Sequence, residues 1–475
     1  MINRYLTFDK MNGFINDFKR KIRFPYVYED GVLTVFSKDT LPLDDNVDEL
    51  VLTSKTQYTV GNDLQTGYSI IFFVDALPFS DCSVVLWTST TSRVLSFIAT
   101  PIKLSNFSIT TMDFDFAELN VFYPLSKKYK IDSKKNNEDN IEIASYDKTK
   151  VDFNFMIDSD SIEGEFGVLK KYNGNDATSP IELSAVLSYN FEKTTNIDLL
   201  FDIYKITKRT FCFLCHRRSI EIKTIDLTST NVNGDYVNAG ILYILYDKSK
   251  REENDIIKKT IKYGTVKSHF SELVQLVADD KLYFEHIPTN DEELHLITVS
   301  DFILEAAAFE WTFKQCYGKI PLSEYRQEVK TDILSCIDGI TESKPYNSKK
   351  KSELKLYRGI VERVDRSLSE SILYALKDFD DILVDFIKQI FGFNNMKYTT
   401  KTYSDIATDL ERQRNAYAHG NIDKEMTEHI VSNTIILMWL NCAMVLKQVG
   451  YNRDEIFNII NAIFDRHFQE RRIGE

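Results

Sequence analysis

The stretch Tyr403-Ser404-Asp405-Ile406-Ala407-Thr408-Asp409-Leu410-Glu411-Arg412-Gln413-Arg414-Asn415-Ala416-Tyr417-Ala418-His419 reads as a helix. Stepped at about 100° per residue, Ile406, Ala407, Leu410 and Tyr417 fall within about 60° of Tyr403 and define a buried stripe. Arg414 falls about 20° from the same origin, which puts a guanidinium in the middle of an apolar face. Buried unpaired it would cost several kcal/mol, so it calls for a carboxylate, an interface or a bound phosphate. Asn415 and His419, spaced i,i+4, share the edge of the stripe, with His419 in the last turn before Gly420.

The same 3.6-residue period holds outward from this helix over the C-terminal part of the chain. It predicts helices over Asp301–Gln315 (capped by Ser300), after Pro321, from the capping box Ser367-x-x-Glu370, and along an apolar face of Phe379, Ile382, Leu383, Phe386 and Ile390 that stops at Gly392. Gly392 to Thr402 reads as loop. Helices over Lys424–Val449, ended by Gly450, and Asn452–Phe468 complete an all-α domain at 300–475, with short connections that imply antiparallel neighbours.

Upstream, the period is two. Val32–Phe36, Tyr68–Val74, Ser83–Trp87, Val94–Ile98, Val151–Ile157, Ile181–Phe191, Ile220–Leu227 and Ile241–Tyr246 read as strands. Ser126–Asn140 and Tyr172–Ser179 read as loops, and a division near 126–145 would separate two β subdomains. A short helix at Ser268–Ala278 and a strand at Leu294–Val299 close a β-rich, sandwich-like region at 1–295. The fold class expected is α+β multidomain.

A chain of 475 residues with 43% hydrophobic and 27% charged residues is globular, with enough length for at least two cores. Its net charge of -13 excludes broad electrostatic attraction to nucleic acid. Residues 301–475 carry 24 Lys and Arg against 27 Asp and Glu, so most of the excess acid lies upstream and the helical part is the better polyanion binder. The first residues lack an apolar leader core, and Ile435 to Leu446 is too short to span a bilayer, so a cytoplasmic protein without membrane contact is expected. Six scattered cysteines fit free thiols in a reducing compartment.

Arginine, amide and imidazole thus converge at one helix end, and the run Arg414-Asn415-Ala-Tyr-Ala-His419 resembles the Rx4–6H motif of the HEPN superfamily, in which a polar residue follows the arginine. Many members of that superfamily cleave RNA, and the residue types fit such a reaction. RNA brings its own nucleophile, the 2′-OH, so the protein must move protons and hold phosphate oxygens, tasks for His419 and Arg414, with Asn415 as an orienting group. That resemblance implies a helical bundle acting as a metal-independent endoribonuclease, without cofactor, as a homodimer through the HEPN domain. Apposed copies of His419 would supply both base and acid. Spacing alone is weak, since roughly one such pair is expected by chance. Arg209 to His216 and Arg412 to His419 match it too, the first placed here in a β-type run over Phe211–Cys215.

The order of a long β-rich region followed by this motif resembles the ApeA family of anti-phage proteins. It implies abortive infection, with a phage-derived trigger sensed by the N-terminal region and host RNA, such as tRNA, cut by the C-terminal one. Asn421 stands where HEPN toxins paired with a nucleotidyltransferase antitoxin carry Tyr, which argues against such a partner. The segment Lys344 to Arg366 has eight Lys and Arg against three acids; Lys349, Lys350, Lys351 and Arg358 are its candidate RNA contacts. Cys212-x-x-Cys215-His216 spells half a zinc site without its second half and reads as core. The competing reading is a non-catalytic HEPN scaffold that binds nucleotide or RNA, with the β-rich region as its recognition part.

Overall fold

Alternation of side chains builds the first strands. In a computed structural model of the chain, β1 (Lys10–Asp17) turns Met11 and Ile15 inward, and β2 (Ile22–Glu29) does the same with Phe24, Tyr26 and Tyr28. The structure describes residues 8–38, 40–43, 52–77, 89–123, 129–133, 139–143, 151–172, 181–231, 233–245, 260–289, 297–318, 320–322, 324–343, 345–362, 366–393, 402–420 and 426–471. β3 (Val32–Phe36) follows β2 through Asp30-Gly31, both at positive φ (51° and 79°), the backbone that a two-residue hairpin needs.

A short β4 (Leu41–Pro42) pairs with β2, then β5 (Tyr58–Asp63) with β1, and β6 (Ser69–Val74) with β5. The long β7 (Ser89–Thr100) pairs with both β6 and β3 and closes a six-stranded barrel. Side chains of Tyr28, Phe72 and Phe97 fill it, with ring centroids 5.5–6.1 Å apart. β1 and β5 approach so closely that a Cβ on Gly13 would lie 1.7 Å from the Asn62 carbonyl oxygen.

β7 belongs to two structures at once. Its second half also bonds to β15 (Tyr236–Ile244), from which the sheet continues through β14 (Thr224–Thr230), β8 (Ile109–Phe114), β13 (Ile181–Thr194), β12 (Asp160–Tyr172) and β11 (Phe153–Ile157). One continuous sheet curled at one end thus replaces the expected sandwich. Helix α1 (Ala117–Phe122) packs on β13 and α3 (Phe270–Ala278) on β11, while α2 (Ile197–Cys215) lies beside α3. Phe122, Phe166 and Phe270 interlock at 5.5–5.7 Å, and beside them Arg217 donates to Glu118 at 3.1 Å, both fully buried.

Other expectations for this region change. Phe211–Cys215 is the end of a helix, because Thr210 to Cys215 are all buried and a segment covered on every side reveals no period. Ser126–Asn140 is not all loop: β9 (Tyr129–Ser133) and β10 (Asp139–Ile143) form a hairpin. The strand expected from Ile220 begins at Thr224. Ser83–Trp87 lies outside the described residues. Val299 opens a helix where a strand was expected, since Thr298 caps it in a reciprocal box with Asp301, two residues before the expected cap.

The chain divides into two compact units: Met1–Lys281 with Ile287–Glu293 and Asn461–His467, and Leu282–His286 with Leu294–Ile460 and Phe468–Glu475. The described residues of the second form helices α4 (Val299–Tyr317), α5 (Glu324–Ser343), α6 (Ser348–Glu362), α7 (Leu368–Asp378), α8 (Asp380–Phe393), α9 (Thr402–Ala418) and α10 (Glu428–Val449); α11 (Arg453–Ile463) runs from it into the segment counted with the first.

Ser367 and Glu370 form their capping box, Gly450 ends α10 at φ 114°, and α8 runs one residue past Gly392. α11 stops at Ile463, five residues short of the expected end. α10 is long and apolar enough to cross a membrane, but 83% of its apolar window is buried in this bundle. Fully buried Trp439 on it meets Phe386 of α8 at 5.5 Å.

Candidate functional site

Helix α9 carries the motif. Ile406, Ala407, Leu410 and Tyr417 are buried as their spacing requires, Tyr417 lying edge-on to Phe302 of α4 at 5.7 Å. The polar residues buried with them on α9 are Thr402 and Gln413, whereas Arg414 keeps 41% of its side chain exposed. The expected buried guanidinium is thus corrected: its long stem lets the head leave the stripe. There Nη2 donates to Glu310 Oε1 on α4 at 3.0 Å, and Nη1 lies 3.5 Å from Asn415 Oδ1. Asn415 and His419 are exposed. His419 is the first residue past α9, its amide still bonded to the Asn415 carbonyl at 3.1 Å, before Gly420 turns the chain at φ 82°.

Arg414 and Asn415 line an open groove of about 490 Å³ whose walls also include Glu310, Lys314, Arg366 and Glu411. Three cations against two carboxylates give it a small positive excess. One of those carboxylates is committed: Glu411 accepts from Leu368 N at 3.1 Å and Ser369 Oγ at 2.6 Å, at the positive end of α7. Arg366 gives two hydrogen bonds to the Pro321 carbonyl and lies over the Tyr374 ring. His419 is not part of the groove wall. The chemistry on offer is a guanidinium and an amide in the wall of an open groove, with an imidazole one turn further along.

Lys349, Lys350 and Lys351 are exposed in the first turn of α6, outside the groove, with Lys350 over the Tyr346 ring at 5.5 Å. Arg358 is engaged by Asp338 at 2.8 Å and by Glu362. The decoys separate cleanly. Arg412 pairs with Asp409 and points to solvent, while His216 is a buried helix cap against Phe464 at 4.8 Å and Arg209 pairs with Asp280. Cys212 and Cys215 donate to different partners, the Arg218 carbonyl and Thr260, so the half zinc site has no shared focus. Among the described residues, no three His, Cys, Asp or Glu side chains gather to hold a metal ion.

The helical unit also buries a carboxyl that its sequence did not single out for a role. Glu305 of α4 is fully buried, and its Oε2 accepts from Asn441 Nδ2 of α10 at 2.6 Å. Burial drives its acid well above the ordinary carboxylate range, against the pull of the Asn441 hydrogen bond and with help from the charge of Asp301. Among the described residues, Glu305 Oε1 and Asn441 Oδ1 meet no donor.

Comparison with known protein families, curated proteins and solved structures finds no match to this chain. The reading of the site therefore rests on the residues themselves.

Proposed function

We propose that the helical unit is a HEPN-type, metal-independent endoribonuclease and that the β-rich unit senses a phage-derived trigger, the two forming an anti-phage effector that cuts host RNA such as tRNA in the cytoplasm. The observation that carries this reading is that Arg414 and Asn415 open onto one groove while His419 stands exposed at the end of the same helix. In the reaction, the 2′-oxygen bonds to phosphorus as its proton passes to one imidazole. The bond from phosphorus to the 5′-oxygen breaks, and that oxygen takes a proton from a second imidazole. The products are a 2′,3′-cyclic phosphate and a 5′-hydroxyl. Arg414 holds the non-bridging oxygens as negative charge grows on them. One chain supplies one such imidazole, so a two-fold homodimer apposing two copies of His419 completes the set.

The Arg414–Glu310 pair favours a second reading, a non-catalytic module that binds nucleotide or RNA, because a paired arginine needs no substrate. Cleavage of tRNA by the purified full chain separates the two. His419→Ala and Arg414→Ala should each lower the rate by about 10²–10³-fold and remove cyclic-phosphate ends. Cleavage that survives both substitutions would sink the nuclease reading.

A further inference from the structure

Two helices of the second unit have no core of their own. Among the described residues, neither α5 nor α6 contains a buried residue. Their mutual face is thin: Leu334 and Ile337 on α5 and Leu354 and Val361 on α6 are only half covered, and Arg358 ties the pair to Asp338 at 2.8 Å. Away from that face α5 exposes Tyr325, Val329, Ile333 and Ile340, which fall within about 80° of arc. On α6, Leu356, Tyr357 and Ile360 are exposed. These side chains are 39–74% accessible and leave on the order of 600 Å² of mainly apolar surface, most of what one partner contributes to a stable dimer of about 800 Å² per side.

The charges identify the occupant. α5 carries five acids against two bases, and α6 carries five bases against two acids. The hairpin is therefore acidic along one helix and basic along the other, and a second hairpin turned by a two-fold axis presents basic to acidic and acidic to basic. An RNA would satisfy the lysines of α6 but not the acids of α5 or the apolar stripe. We infer that α5 and α6 form a docking surface for a second copy of this chain, closing an intermolecular four-helix bundle in which α5 of each protomer lies on α6 of the other. This surface is separate from the groove at Arg414 and from the His419 pairing, so a chain that uses both contacts assembles beyond a dimer, and the inference does not depend on the nuclease reading.

Sedimentation equilibrium of the full chain at micromolar concentration tests it. Ile333→Glu and Leu356→Glu, both at exposed positions, should each reduce the particle to half the mass of the wild type. Lys350→Glu with Lys351→Glu makes both helices acidic and should raise the dissociation constant by about tenfold or more, and adding Glu328→Lys with Asp332→Lys should recover most of that loss. Three results would overturn the inference: a wild type that sediments as a single 55.2 kDa chain at every concentration; an Ile333→Glu variant of unchanged mass; or a lysine reversal that weakens RNA retention while leaving mass unaltered, which would give the face to RNA.

Discussion

Replacing Glu305 with Gln should make the helical unit more stable at neutral pH than it is in the wild type, and the gain should grow with pH. Glu305 is fully buried, with Asn441 as its hydrogen-bond partner, and its acid is raised well above the unfolded value of 4.5. The folded state therefore binds the proton more tightly than the unfolded one. The sign follows: the contribution of Glu305 is fully present below pH 4.5 and is lost as pH rises toward the raised value. Within that window the loss is about 1.4 kcal/mol per pH unit. Each kcal/mol so lost lowers the melting temperature by about 2–4 °C for a domain of this size.

Gln keeps the shape, accepts from Asn441 and supplies a permanent donor, so it escapes this loss. Asp378 adds no slope here. Burial opposes its ionisation, but hydrogen bonds from Lys447, Tyr317 and Arg453 win and hold it below the ordinary carboxylate range, so it is charged throughout. The assay is helical circular dichroism during urea unfolding of wild type and Glu305→Gln at pH 5, 6, 7 and 8, read as a difference so that histidines shared by both proteins cancel. A difference that stays flat across this range would show that Glu305 titrates like a solvated carboxyl and that its pairing with Asn441 is wrongly assigned.

Two smaller perturbations test the frame. Ser367→Ala removes the side chain that accepts from Glu370 N and should cost about 0.5–2 kcal/mol, seen as earlier helical unfolding with the rest of the chain unaffected. Arg217→Met removes the guanidinium that donates to the fully buried Glu118 side chain and should cost about 3–5 kcal/mol, whereas changing both residues to apolar ones should recover much of it; equal losses for the single and double variants in a denaturant titration would refute a coupled pair.

What the sequence disclosed follows where burial is one-sided. β3 and the stripe of α9 show a clear period because one face meets water, whereas β6, buried from Ile70 to Val74, is legible from its run of Ile, Phe and Val alone. α2 misleads because its last six residues are all buried, which erases the contrast that a period needs. Barrel closure was not legible at all: it depends on β7 pairing with β3 and β6 at once, a long-range register that no local pattern encodes. At the site, spacing located Arg414 and Asn415 on one helix and His419 at its end but placed the guanidinium inside, because a helical wheel positions the Cβ and says nothing of where a long stem ends. Sequence offered Glu305 and Glu310 as acids that could pair with Arg414 without choosing between them, and the fold sets Glu310 3.0 Å from it and buries Glu305.

Whether that ion pair assigns Arg414 to structure or to substrate turns on its size. With both partners more than 40% exposed, it is worth about 0–1 kcal/mol, less in salt. A phosphodiester entering the groove offers Arg414 two oxygens in a bidentate geometry, and charge-assisted bonds of that kind contribute about 1.5–3 kcal/mol each. In the proposed nuclease such bonds would outweigh the exposed Glu310 contact, so the pair is compatible with a substrate role. In that reading the Glu310 contact would keep the guanidinium at the groove before substrate binds, as a preorganised donor. A buried Arg414 could not have been released so cheaply, and its departure from the apolar stripe is what makes a catalytic role physically affordable.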